Sequence, residues 1–226
     1  MEPIPQTSEV LRELRTTGGP DLEAMLRDMA ERVSRVVPSC TGMSLSVADA
    51  GLTFTLVSTS EQTSALDGVQ YATSGPCVQT ALEGIELTVQ DVLNEDRWQR
   101  FAAAAAAENV RSSLSLPLLV GGWHGSINLY AADPRAFTGD LEELRAIVGP
   151  GIDVAVTNAD LPFRTRTYAT DAPRSLGDLD LIEQAVGMLM AQEGLDPDRA
   201  RQHLQDAAER AGIDQLTLAR TLISAL

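Results

Sequence analysis

The sequence predicts an α+β domain, an antiparallel sheet flanked by helices, followed by a small all-α unit of three helices. Three observations carry that expectation. Two pairs of alternating segments, "TGMSLSVAD" with "LTFTLVSTS" and "RSSLSLPLLV" with "WHGSINLYAAD", are each joined at a glycine turn, Ala50-Gly51 and Gly121-Gly122, as β-hairpins are. Periodicity is lost over residues 161–175, "LPFRTRTYATDAPRS", which hold two prolines. Three helical patterns then run to the end of the chain. With 226 residues, the chain is long enough for one full domain plus a smaller module.

The elements follow in order. Residues 1–19 form an N-terminal tail or helix, and 20–160 the sheet-containing domain. Asp21 can cap a helix with Leu22, Met25, Leu26, Met29 and Val33 on one face, ending before Pro38. The first hairpin follows, its strands alternating as half-buried strands do. Gly75-Pro76 then opens a short helix, "CVQTALEG", with Pro in its first turn and Gly84 at its end. A strand, "IELTVQDV", comes next, and "NEDRWQRFAAAAAAEN" reads as a helix with Trp98 and Phe101 at i and i+3. After the second hairpin, Leu141, Leu144, Ile147 and Val148 mark a helix that Gly149-Pro150-Gly151 must break or bend. Residues 161–175 are a linker, and 176–226 the three-helix unit. In that unit Asp196-Pro197 and Asp214 are N-terminal caps, and Gly194 and Gly212 sit where helices end.

Charge and motif content exclude several function classes. A net charge of −15 makes the molecule as a whole repel polyanions, so any nucleic-acid site must be a local patch. No run of eighteen uncharged apolar residues occurs, and "MEPIPQTSEV" has no basic or apolar leader pattern, so a cytoplasmic protein off the membrane is expected. Cys40 and Cys77 cannot make a disulfide framework, and His124 and His203 lie too far apart in sequence for a zinc set, so no metal is expected. There is no phosphate loop, no G-x-S-x-G and no Ser/Cys–His–carboxylate pattern, so no catalytic residue is assigned. Cys77, near a helix start, is either a thiol activated there or, the preferred reading, a small core residue. Tyr71, Trp98, Phe101 and Trp123 either line a ligand cavity together with Cys77 or form the core itself.

Two families are carried by specific strings. "GPCVQTAL", "RWQRF" and "ENVRSSLSLPLLVGGWHGSINLYAADPRAF", with Leu129, Tyr130, Pro134 and Phe137 at the landmark places, resemble the GAF domains of bacterial signalling proteins. "IEQAVGMLMAQEGLDPDRARQHLQDAAERAG…LTLAR" resembles the ANTAR module of transcription antitermination regulators. The resemblance implies a GAF sensor for a small molecule or another signal, and an ANTAR output that binds stem-loop RNA. No cofactor is identified, and the GAF ligand is unnamed. A homodimer is expected, because modules that read two stem-loops gain from presenting two units together.

The RNA-contact candidates are Arg174, Arg199, Arg201, Arg210 and Arg220. The helical unit departs from the family pattern: Val186 stands where a Lys is usual, Arg201 where an aromatic is usual, and Gly212-Ile213-Asp214 where an Asn-basic-basic turn is usual. From Arg174 onward five Arg face nine carboxylates, a net −4, and no aromatic follows Tyr168. The alternative is therefore a degenerate ANTAR bundle that binds protein. In "DLIEQAVGMLMAQEG" the apolar arc spans roughly 200° of the helix, about twice what one face of a small bundle uses. Leu181, Val186, Met188 and Met190 are accordingly expected to face a partner: a dimer mate, the sensor or another protein.

Overall fold

The computed structural model describes residues 22–49, 51–120, 123–139, 141–149, 152 and 176–224. Its elements are α1 (Leu22–Val36), β1 (Cys40–Asp49), β2 (Leu52–Ser58), α2 (Glu61–Thr73), α3 (Pro76–Glu83), β3 (Leu87–Val89), a 3₁₀ turn (Val92–Asn94), α4 (Gln99–Ala107), β4 (Ser112–Val120), β5 (Trp123–Ala131) and α5 (Leu141–Val148). The last three helices are α6 (Leu176–Glu193), α7 (Pro197–Ala211) and α8 (Gln215–Ile223). The proposed tail, residues 1–19, the linker, 161–175, and Arg174 lie outside the described residues.

The five strands pair antiparallel in the order β2-β1-β5-β4-β3. Register sorts their side chains into rows, because alternate residues point to opposite faces. One row set is apolar: Met43–Leu129–Leu114 and Leu45–Ile127–Leu116 lie opposite one another across β1, β5 and β4. These residues pack with Leu26, Met29 and Val33 of α1, Leu144, Ile147 and Val148 of α5, and Phe137. The other row set is polar: Ser44–Asn128–Ser115, with Ser46 opposite Ser126. Pro117 falls beyond the end of β3, where β4 is an edge and a missing N–H removes no ladder bond.

The expectation that these strands are half-buried needs correction, since the polar face is buried as deeply as the apolar one. The cover is α2, a helix whose apolar stripe is short and half alanine. Its polar stripe at i, i+4, i+7 and i+8 is Thr63, Asp67, Gln70 and Tyr71, and that stripe faces the sheet. Its other side carries Ala65, Leu66, Val69 and Ala72. Ser60 caps it by accepting from the Thr63 N–H at 3.1 Å. The strand expected over residues 85–92 contracts to Leu87–Val89. Asp91 ends it by accepting from the Leu93 N–H at 3.1 Å and pairing with Arg111 at 3.0 Å, which sets up the 3₁₀ turn.

The helical unit forms with the expected caps: Asp196 accepts from Arg199 N at 3.0 Å, Asp214 accepts from Thr217 N at 2.8 Å, and Gly212 takes φ 74°. It is not a free-standing module. Ile182, Val186, Leu189, Leu204, Ala207, Ala208, Ala211, Leu218 and Leu222 join one continuous buried cluster with Leu66 and Val69 of α2 and Phe101 and Ala105 of α4. Gly68 makes the approach close. A β-carbon there would stand 3.1 Å from both Ala211 Cβ and Leu218 Cδ1.

Gly125 is a second close approach, where an added β-carbon would run into the Ser46 carbonyl oxygen of the neighbouring strand. Gly125→Ala is therefore expected to lower unfolding free energy by about 1–3 kcal/mol in denaturant titration, and a neutral effect would contradict the packing described.

Candidate functional site

The polar layer between sheet and α2 is centred on Asp67, whose side chain is fully buried. Thr55 Oγ1 donates to its Oδ2 at 2.9 Å and Tyr130 Oη to its Oδ1 at 2.6 Å. Gln70 Nε2 donates to Tyr130 Oη at 3.0 Å, and Gln70 Oε1 accepts the Cys77 N–H at 2.9 Å. Tyr71 Oη lies 2.7 Å from Thr55 Oγ1 and 3.1 Å from Ser46 Oγ. Asn128 Nδ2 donates to Ser46 Oγ at 3.2 Å and to Ser44 Oγ at 3.1 Å.

A single direction runs through this network. With Asp67 ionised, the one Thr55 hydroxyl proton goes to the carboxylate, so Tyr71 donates to Thr55 and Ser46 donates to Tyr71. Every hydrogen then points toward Asp67 along Asn128–Ser46–Tyr71–Thr55 on one side and Gln70–Tyr130 on the other. Burial nevertheless dominates: it pushes the Asp67 carboxyl up to about 6, against the lowering pull of hydrogen bonds from Tyr130, Ser44 and Thr55. Asn128 Oδ1, Thr53 Oγ1, Thr80 Oγ1 and Ser113 Oγ are buried with no hydrogen-bond partner among the described residues. The layer thus holds both a proton acceptor and spare hydrogen-bonding atoms. No three His, Cys, Asp or Glu among the described residues converge as metal ligands.

Of the sensor-pocket candidates, Tyr71 and Cys77 enter this layer. Phe101 is core, its ring 6.4 Å from that of Tyr130. Trp98 lies at the head of α4 under the Arg97 guanidinium, 4.1 Å from its ring centre, beside an open cleft of about 540 Å³ that Thr73, Arg100 and Gln192 also line. The Trp123 backbone pairs with Val120 in the sheet; its side chain lies outside the described residues. Cys77 is buried at the start of α3, and burial, then the Asp67 charge, push its thiol up, the reverse of an activated thiol at a helix start. Asp67, Gln70, Thr55, Ser46 and Asn128 were not singled out from sequence. Their signal is present in "SLSV", "TFTL", "SINLY" and the polar stripe of "TSALDGVQY".

The RNA-contact candidates do not gather on one face. Arg199 pairs with Asp196 at 3.3 Å, Arg201 with Glu183 at 2.6 Å, and Arg220 with Asp178 at 3.4 Å. Arg210 points the other way, toward α2: its Nη2 donates to the Tyr71 carbonyl at 2.9 Å, and its guanidinium lies 5.1 Å from the centre of the Tyr71 ring. Of the partner-face candidates, Val186 is 2% exposed and so part of the shared core, not of a free surface. Leu181, Met188 and Met190 are half-buried, the two methionines against that same core. The wide apolar arc of α6 is consumed largely within the molecule, by the neighbouring helices and the cluster they share with α2 and α4.

A family model for the GAF domain matches residues 19–156, and one for the ANTAR domain matches residues 171–223. No curated protein sequence matches the chain. Similar solved structures include Escherichia coli SdiA, 10% identical, covering 88% of this chain and 90% of that one with a TM-score of 0.45. SdiA in complex with octanoyl-rac-glycerol is 12% identical and covers 100% of this chain and 97% of that one, with a TM-score of 0.43.

Two measurements test the layer. The unfolded chain releases the Asp67 proton near 3.8, whereas the folded protein holds it to about 6. Relative to Asp67→Asn, the wild type should therefore lose up to roughly 3 kcal/mol of stability as pH rises from about 4 to about 6, and no more above that. Parallel stability curves for the two proteins would refute a buried, proton-retaining Asp67. Thiol labelling followed by peptide mapping should leave Cys77 unmodified in the native protein and reach it only in denaturant; rapid native labelling of Cys77 would contradict its burial.

Proposed function

Starting from the fact that the chain belongs to the GAF domain family and carries an ANTAR domain behind it, we propose that it is a signal-responsive regulator of transcription antitermination. GAF and ANTAR domains are regulatory rather than catalytic. In this reading the GAF domain, bounded at residue 160, receives a small-molecule or other signal, and the ANTAR helices from residue 176 bind stem-loop RNA. We place the protein in the cytoplasm as a homodimer. Among the described residues no helix is long and apolar enough to cross a membrane.

One observation carries this reading. The helix that sends Asp67, Gln70 and Tyr71 into the polar layer is the helix on which α7 and α8 dock. A signal that rearranges the layer therefore has a direct mechanical route to the output unit, through one rigid element rather than through the linker. A small, hydrogen-bonding molecule would engage this layer by replacing Thr55 or Tyr130 as donor to Asp67 and by donating to Asn128 Oδ1. On the output side, Arg199, Arg201 and Arg220 have side chains 79%, 43% and 60% exposed and supply cations for phosphate.

The second reading, a bundle that binds protein, is favoured by the carboxylate that sits against each of those three Arg. Filter binding of a leader-type stem-loop separates the two. Contact with three phosphates predicts affinity falling about 20–40-fold between 50 and 200 mM salt. Arg201→Glu with Arg220→Glu should abolish that binding. A folded protein that fails to bind at 50 mM salt supports the protein-binding reading instead.

A further inference from the structure

Helix α2 ends at Thr73, and Ser74 at φ 72° turns the chain away, so the last carbonyls of α2 have no partner within the helix. Two of them are satisfied from the ANTAR unit. His203 Nε2 donates to the Ala72 carbonyl at 2.8 Å, and Arg210 Nη2 to the Tyr71 carbonyl at 2.9 Å. The cationic guanidinium of Arg210 is favoured at this negative end of the helix and also stacks on the Tyr71 ring.

Arg210 differs from the other arginines of the unit. Arg199, Arg201 and Arg220 each meet a carboxylate, whereas Arg210 has none within ion-pair distance among the described residues and is held by carbonyls, of Tyr71 and of Asp206 at 3.3 Å. It is largely buried, and burial lowers its pKa. At the opposite end of α2, Thr217 Oγ1 lies 3.3 Å from a Glu61 carboxylate oxygen, its proton going to the nearer Asp214 at 2.9 Å, and between the two ends Gly68 admits Ala211 and Leu218. α7 and α8 thus clasp α2 along its whole length.

We propose that this clasp is autoinhibitory: α2 occupies Arg210 and the α7 face around it, and the ANTAR unit binds stem-loop RNA in full only when α7 lifts from α2 and a phosphate replaces the Tyr71 carbonyl at Arg210. This rests on the RNA-binding reading. One guanidinium edge cannot serve a buried carbonyl and a phosphate together, and the charged acceptor makes the stronger bond once both are accessible. Tyr71 ties the clasp to the sensor, because its hydroxyl belongs to the polar layer while its carbonyl and ring hold Arg210. By linkage, whatever opens the clasp raises RNA affinity, and RNA in turn favours opening.

The test uses the full chain in two variants. Gly68→Leu wedges the seam, and RNA affinity should rise about tenfold, with faster hydrogen exchange in α7. Gly68→Cys with Ala211→Cys places two thiols where a disulfide can tie α2 to α7, the bond being verified by peptide mapping. Oxidised, this variant should bind the stem-loop at least about tenfold more weakly than when reduced. It answers the question even if the leucine variant fails to fold. Equal affinity in the oxidised, reduced and wild-type proteins overturns the clasp and leaves the RNA reading standing. Lack of binding at 50 mM salt in the wild type, the reduced tether and a folded Gly68→Leu protein alike overturns both.

Discussion

Burying a sheet face made of Ser, Thr and Asn leaves a row of hydroxyl and amide groups that water no longer reaches, and each costs free energy unless it is paired. Helix α2 supplies most of the pairing by turning Asp67, Gln70 and Tyr71 inward. This fixes the depth and rotation of α2 more tightly than apolar packing does, since hydrogen bonds are directional. The position of α2 then decides what its outer side offers: small and apolar residues with Gly68 among them, a surface on which other helices pack closely. The interior chemistry of the GAF domain and the seat of the ANTAR helices are two sides of the same helix.

That arrangement distributes polarity in an unusual way. In a surface helix the apolar stripe faces the core and the polar stripe faces water. In α2 the polar stripe faces the sheet, and the apolar side faces α4, α7 and α8. The cost is a carboxylate held away from water, Asp67, which keeps its proton to about 6. The network that converges on it compensates only in part, because desolvation outweighs the hydrogen bonds. A group in that condition responds to changes in its surroundings more than a solvated carboxylate does.

The sheet was largely legible because its two hairpins combine strict alternation with Gly turns, and α6, α7 and α8 were legible because Asp196, Asp214 and Gly212 mark their ends. Helix α2 was not. Its outer stripe, Ala65, Leu66, Val69 and Ala72, is short and half alanine, and the Ser, Thr, Asp and Gln around it read locally as loop. The alternation "SLSL" predicted the right strand and the wrong environment, since period two shows that two faces differ but not that one meets water. The arginines show a similar limit. Their number and spacing were readable, but the direction of Arg210 depends on a helix that ends at Thr73, far before the ANTAR helices begin at Leu176. Val186 looked surplus for the same reason: an apolar arc too wide for a three-helix unit suits a unit that shares its core with a neighbour.

The shared core also bears on how the protein comes apart. Two units with separate interiors would melt as two events, each with its own midpoint; here Leu66 and Val69 lie in the same interior as Leu204, Ala211 and Leu218, so the loss of either unit strips apolar contacts from the other. Sequence-family boundaries therefore do not coincide with the cooperative folding unit. An isolated C-terminal fragment begins with the sensor-facing side of α7 exposed to water. Its adhesiveness would then report an amputated interior rather than a natural binding surface.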